Sequence, residues 1–187
     1  ADEYIRVTVE INQITTKQYF IMPIMESPAI IDLNRRADVL YQIREKLKTV
    51  EKSVLNIRVG GNDLCHAFGF RRHKDESIHK ILPVANIFAD IITVFGTDYV
   101  ISGPVWEYYS QKGWDLGLCK ELSDDKLCGF TGKTVIHPNQ IPHVNQAYAV
   151  SLEDLNDAKA ILNWDKNDPS FVSASADRQR MNEYKTH

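Results

Sequence analysis

At 187 residues, with 43% apolar and 25% charged side chains, the chain has the make-up of an ordinary globular protein: one domain with a real core, or part of a larger one. A formal net charge of −3 with dispersed basic residues removes the electrostatic case for nucleic acid. With no run of about 18 apolar residues and no h-region at the start, neither a membrane span nor a secretion signal is expected.

An amphipathic helix is expected first, over Ala1 to Ile14. The chain does not begin with Met and stops in the polar MNEYKTH without a stop signal, so both ends read as cut. Tyr19 to Met25 (YFIMPIM) is a continuous apolar run closed by Glu26-Ser27-Pro28, which predicts a strand and then a turn, with Pro23 at a position not needed for pairing. Leu33, Ala37, Leu40, Leu47 and Val50 recur at helical spacing, with Arg44, Glu45, Lys46 and Lys48 on the polar side. Next comes VLNIRVGGNDLC, Val54 to Cys65, whose apolar run predicts a strand buried on both faces that delivers Asp63 to its C-terminal end. Gly60 and Gly61 would let the backbone turn tightly and let a ligand approach its N–H groups. The plainer alternative is a turn in which Asp63 caps the following helix.

Arg71, Arg72, His73 and Lys74 read as a solvated loop or, alternatively, a phosphate contact. The clearest helix carries Ile78, Ile81, Leu82, Ala85, Phe88, Ala89, Ile92 and Phe95, with Gly96 at the expected left-handed C-terminal position. Tyr99 to Ile101 predicts a third strand, closed by Ser102-Gly103-Pro104, and a weaker helix falls within Trp114 to Leu122. Thr134 to Ile136 is the fourth strand, ending in His137-Pro138. Ile141, Val144 and Tyr148 mark another helix, and Ser151 with Asp154 opens a further one through a capping box. From Asp165 onward apolar density falls, and the tail reads as an arm. The expected division is a barrel-type domain over 1–150 and a helix with an extended arm over 151–187. Cys65, Cys119 and Cys128 are odd in number and lack CxxC spacing, which suggests reduced thiols in a cytoplasmic protein and no zinc site.

Strand and helix thus alternate four times, and the strand ends at Glu26, Asp63, Ser102-Gly103 and His137 are about 35 to 40 residues apart, the length of a βα unit with its loops. Parallel strands joined by helices put those ends on one edge, where α/β folds bind ligands. Four units are half of a (β/α)8 barrel, which takes about 250 residues. Glu26 and Asp63, on neighbouring strands, could share one hard cation; Mg2+ suits two carboxylates, several waters and substrate oxygens. Helix capping or ion pairing with Arg58 would use the same residues without a metal. Arg58 is either that partner or a clamp for a substrate carboxylate. His137 suits an acid, a hydrogen-bond donor or a structural histidine, and Lys133 an anion contact or an exposed loop lysine.

GFTGKTVIHPNQI, Gly129 to Ile141, resembles the eighth-strand motif of the citrate lyase β-subunit family within the aldolase/citrate lyase superfamily of TIM barrels. IMPIMES resembles its fifth strand, ending in a metal-binding Glu, and IRVGGNDLC its sixth, ending in a metal-binding Asp. The resemblance implies the C-terminal half of a TIM barrel, about strands five to eight, with a C-terminal helical arm. It implies a Mg2+-dependent carbon–carbon bond lyase acting on a 2-oxo or 3-hydroxy acid or its acyl-CoA ester through an enolate. Glu26 and Asp63 would be the metal ligands, and the Gly60-Gly61-Asn62 backbone would line the oxo-acid pocket. Gly132, Lys133, His137 and Gln140 would lie toward the acyl-thioester side. Glu183, in RMNE, is the nearest match to a carboxylate that reaches a neighbouring subunit's site, implying a homo-oligomer, a trimer or hexamer. The longer interval from Glu26 to Asp63 and the ISGPVWEYY stretch look more like the divergent carbon–carbon lyase branch found near tellurium-resistance and stress genes. A different class of reading is a barrel that has lost catalysis and serves as a binding or assembly subunit.

Overall fold

A computed structural model describes residues 2–163 together with the backbone of residues 172–174 and 181–183. The chain divides into two compact units, 1–148 and 149–187.

The first unit is a mixed α/β layer built on a parallel four-stranded sheet in the order β1-β2-β3-β4: Ile24–Met25, Ile57–Val59, Ile101–Gly103 and Gly132–Lys133. Sequence order equals spatial order, as expected when each strand returns through a helix to the next position. Ile24 lies opposite Arg58, Arg58 opposite Ser102, and Ser102 opposite Gly132. Side chains alternate across a strand, so this row faces one side of the sheet, whereas Met25, Ile57, Val59 and Ile101 face the other. The second set is buried, and α2 (Arg36–Lys48) and α4 (Leu82–Phe95) supply its cover through Leu40, Leu47, Val84, Ile87, Phe88, Ile91 and Phe95. Each such side chain contributes about 1.5–3 kcal/mol on leaving water. A second core gathers Trp106, Leu118 and Leu122 with Tyr108, Trp114, Val144 and Tyr148, tying α5 (Trp114–Cys128) to α6 (Ile141–Tyr148).

The strands are shorter than the apolar runs predict. Tyr19 and Phe20 are half exposed, and the run pairs only at an isolated bridge between Ile21 and Val54 before β1 begins. Pro23 needs no N–H there, because its carbonyl accepts from Arg58 (2.8 Å). The second strand is not buried on both faces: Leu55 is exposed and Arg58 half-buried. The third and fourth strands are displaced from the predicted runs, toward Gly103 in one case and back to Gly132 in the other, since backbone pairing rather than apolarity sets their limits.

Among the helices, α1 (Asp2–Ile14) and α6 fall where the sequence places them, whereas α2 is shorter than its apolar repeat: Leu33 is exposed in the turn before it and Val50 follows its end. The predicted Ile78–Phe95 helix is interrupted: Ile78–Lys80 is a single 3-10 turn, and α4 starts at Leu82 with Pro83 in its first turn, where a missing N–H costs nothing. Gly96 is right-handed (φ −66°), which corrects the expected left-handed cap. That conformation occurs instead at Gly129 (φ +98°), the end of α5, whose N–H reaches back to Lys126 (3.1 Å). Helix α5 also runs six residues past the predicted Leu122.

In the second unit, α7 (Leu152–Leu162) opens as predicted, with Ser151 Oγ accepting from the Asp154 N–H at 3.0 Å. The described part of the expected arm is an antiparallel pair, β5 (Val172–Ala174) with β6 (Met181–Glu183). Among the described residues no helix is long and apolar enough to cross a membrane.

Candidate functional site

Two carboxylates meet at the C-terminal edge of β1 and β2. Glu26 follows β1 directly, and the Gly60 N–H bonds the Met25 carbonyl (3.1 Å), carrying the pairing one residue past β2. The Glu26 side chain lies across Gly60: a Cβ there would stand 2.3 Å from Glu26 Oε2 and 2.4 Å from Glu26 Cβ. Gly60 is therefore glycine to make room for Glu26. Gly61 is buried for another reason, since its Cβ would fall 2.7 Å from both Ile78 Cδ1 and Pro104 Cβ. The space above Gly61 is taken by protein, not left for a ligand as the glycine pair suggested.

Asp63 does not end the strand. Helix α3 (Gly61–Ala67) starts at once, and Asp63 projects from its first turn without making the capping bond weighed as the plain alternative. The turn brings Asp63 to Glu26. Partial burial, then the Asp63 charge and a hydrogen bond with Asp63, push the Glu26 carboxyl above its usual range, while the Arg58 charge opposes the rise. Such like-charge crowding is the condition a cation relieves. Hard oxygen donors at this edge fit Mg2+, which needs only one or two protein carboxylates and keeps its waters. Among the described residues no cluster of three or more His, Cys, Asp or Glu gathers anywhere, so any cation held here would rest on this pair.

Arg58 lies on the sheet face opposite the covering helices. Its Nε donates to Thr134 Oγ1 (3.2 Å), and its terminal amino groups make no bond among the described residues. It forms no ion pair with Glu26 within 4 Å, so the plain ion-pair reading of Arg58 is not what the structure shows.

The other expected binding residues are turned inward. Asn62 Oδ1 accepts from Arg72 (3.2 Å). Lys133 is neither an exposed loop residue nor free for an anion: in register with Gly103, it points to the helix-covered face, fully buried, and its Nζ donates to Glu121 (2.9 Å) and Asp125 (2.7 Å). Gln140 is 1% exposed, with Nε2 donating to the carbonyls of Trp106 (2.8 Å) and Tyr108 (2.9 Å) and Oε1 accepting from the Ile136 N–H. His137 caps the turn at Pro138 through Nδ1, which accepts from the Asn139 N–H (3.2 Å), and stacks on Tyr109 with ring centroids 4.3 Å apart. That bond leaves its proton on Nε2. Gly132 accepts the Tyr148 hydroxyl (3.0 Å). Glu183 lies on β6 opposite Val172, and its side chain falls outside the described residues.

Lys133 belongs to a buried network that pattern reading missed. Glu121 takes Arg72 and the Ile78 N–H (2.9 Å) besides Lys133, and Asp125 takes His79 Nε2 (2.7 Å). Arg72 also donates to the Val105 carbonyl and packs over the Trp106 ring (5.0 Å). Asp125 lies against Gly103, where a Cβ would stand 2.9 Å from its Oδ2. Arg72, read as part of a solvated basic loop, is 3% exposed. The available signal was Glu121 and Asp125 four apart on the face of α5 that also carries Leu118 and Leu122.

This architecture has known relatives. The chain matches the family described as C-C bond lyase of the TIM-barrel fold over residues 1–187. None of the curated proteins matches the sequence significantly. Among solved structures it is similar to a citrate lyase from Burkholderia xenovorans LB400 (14% identity, TM-score 0.71), covering 99% of this chain and 55% of that one. It is also similar to CitE from Mycobacterium tuberculosis in complex with magnesium, acetoacetate and coenzyme A (19%, TM-score 0.59; 96% and 59%). RipC from Yersinia pestis is a third (15%, TM-score 0.57; 80% and 60%). The chain spans 55% to 60% of the length of these relatives. With the parallel sheet in sequential order and a family match over its whole length, the chain belongs to the C–C bond lyases of the TIM-barrel fold.

Proposed function

We propose that the protein is a Mg2+-dependent carbon–carbon bond lyase whose metal site is Glu26 and Asp63, and that β1 to β4 are strands five to eight of its barrel. The meeting of these two carboxylates over Gly60 carries the reading. Mg2+ would there supply Lewis acidity, polarising a substrate carbonyl and stabilising the enolate left by bond cleavage. Glu26 and Asp63 orient the oxygens of a 2-oxo or 3-hydroxy acid, and Arg58 clamps a carboxylate with its two open amino groups. His137, with its proton on Nε2, is the donor on the β4 side. Glu183 completes the site of a neighbouring copy in a homo-oligomer, from a C-terminal module of 151–187.

Calorimetric titration with Mg2+ tests this: a heat that disappears in Asp63→Ala supports the metal site, and no heat at millimolar Mg2+ overturns it. A catalytically silent binding or assembly subunit is the second reading, favoured by the internal engagement of Asn62, Lys133 and Gln140. It predicts no metal-dependent cleavage and no heat in the same titration.

A further inference from the structure

Leu118 and Leu122 of α5 share a core with Val144, Ala147 and Tyr148 of α6, which sets the two helices side by side. Beside that seam meet two side chains that neither the core nor the carboxylate rim uses. Cys119 is exposed, next in sequence to the fully buried Leu118, and its Sγ lies 3.7 Å from Nδ1 of His143 in the first turn of α6. The His143 ring stands edge-on to Trp114, with centroids 5.3 Å apart and planes at 79°. A thiol facing a neutral imidazole nitrogen gives it the S–H hydrogen, so Nδ1 presents a lone pair, as a metal ligand must.

Zn–S and Zn–N bonds of about 2.3 and 2.0–2.1 Å would span this 3.7 Å gap with an angle at the metal of about 115–120°, near tetrahedral. The two donors are therefore already spaced for one ion. Burial, and then the charge of Asp115 one turn earlier on α5, push the Cys119 thiol above its ordinary range, which argues against a free thiolate nucleophile. A cation reverses that balance, because a coordinating thiol gives up its proton outright. The adjacent Lys120 is turned away, its ammonium donating to the Asp75 carbonyl (3.4 Å). Cysteine spacing gave no hint of such a site because the second donor comes from another helix, 24 residues further on.

We infer that Cys119 and His143 form a Zn2+ site on the seam between α5 and α6, built from none of the residues at the Glu26 and Asp63 rim. A thiolate with an imidazole suits this borderline-soft ion, whereas the oxygens of the rim suit Mg2+. Water fills the remaining positions, since among the described residues no third His, Cys, Asp or Glu joins the pair. On binding, the thiol proton leaves to solvent and the ion clips α6 to α5. Helix α6 ends in Tyr148, whose hydroxyl donates to the Gly132 carbonyl (3.0 Å), so the clip also steadies β4.

The test titrates the full chain with Co2+, which takes the place of Zn2+ and reports thiolate ligation through a charge-transfer band in the near ultraviolet. The band is expected to appear, to vanish in Cys119→Ser, and to persist in Cys128→Ser and in Asp63→Ala. Zn2+ should displace the Co2+ and raise the melting temperature of the parent chain, but not that of Cys119→Ser. His143→Asn should weaken Zn2+ binding by about 10-fold or more in competition with a chromophoric chelator, at least the loss an outer-sphere change brings. A band that survives in Cys119→Ser, equal Zn2+ affinity in His143→Asn and the parent, or no thiolate band at submillimolar Co2+ overturns the inference.

Discussion

The same chemical groups serve opposite ends in two parts of this molecule. At the edge of β1 and β2, Glu26 and Asp63 are largely solvent-exposed, crowd each other, and have no cation in direct contact among the described residues. Beneath β3 and β4, Glu121 and Asp125 are fully buried and every oxygen is committed, to Arg72, Lys133, His79 and a backbone N–H. Burial demands partners, because an unpaired charge away from water is costly. Exposure permits repulsion, because water screens it. A carboxylate pair left unneutralised by the protein is thus affordable only at the rim, where a ligand can supply the missing charge.

The contrast can be broken most forcefully from the buried side. Lys133→Met leaves Glu121 with Arg72 and the Ile78 N–H and Asp125 with only His79, and should cost about 3–5 kcal/mol in urea unfolding. Adding Asp125→Asn to that variant should return part of the loss. Trp106→Ala, which empties the second core and removes the ring under Arg72, should cost a similar amount, about 3–5 kcal/mol, in the same assay. At the rim the costs fall and the functional effects rise. Gly60→Ala forces the Glu26 side chain aside, so a stability loss of about 1–3 kcal/mol should accompany a fall in Mg2+ affinity of about 10- to 100-fold by calorimetry.

Asp63→Asn should be the mildest for folding, within about 0.5 kcal/mol, because the side chain is exposed. It should also bring the Glu26 pKa down, which 13C NMR titration of the carboxyl would read. The sign follows from the raised folded value. Glu26 contributes stability at low pH, below its unfolded pKa, and that contribution is lost as pH rises through the folded pKa; removing the Asp63 charge shrinks the loss. An unchanged Glu26 titration in this variant would show that partial burial alone holds it high.

What pattern reading could see follows the same divide. Helices α4 and α6 repeat apolar residues at their period, and α7 announces itself through Ser151, so periodicity and a cap sufficed. The strand-end positions of Glu26 and Gly60 were legible because glycine and carboxylate follow short apolar runs. Helix α5 was not, because its buried face is Gly117, Leu118, Glu121, Leu122 and Asp125: a period-3.6 stripe whose acids read as solvent-facing. Lys133 was misplaced for the same reason. Only its register with Gly103, not its residue type, shows which face it takes. Gly117 adds a positional constraint invisible in sequence, since a Cβ there would stand 2.0 Å from the Lys74 carbonyl.

The arrangement around α5 also bears on how the chain is made. Its two interior acids draw counterions from residue 72 on one side in sequence and residue 133 on the other. During synthesis the helix therefore leaves the ribosome before the lysine that neutralises it. Until β4 follows, Glu121 has only Arg72 and the Ile78 N–H, and Asp125 only His79, so the network is short of its lysine. Full burial of these two acids is thereby coupled to completion of the strand after them.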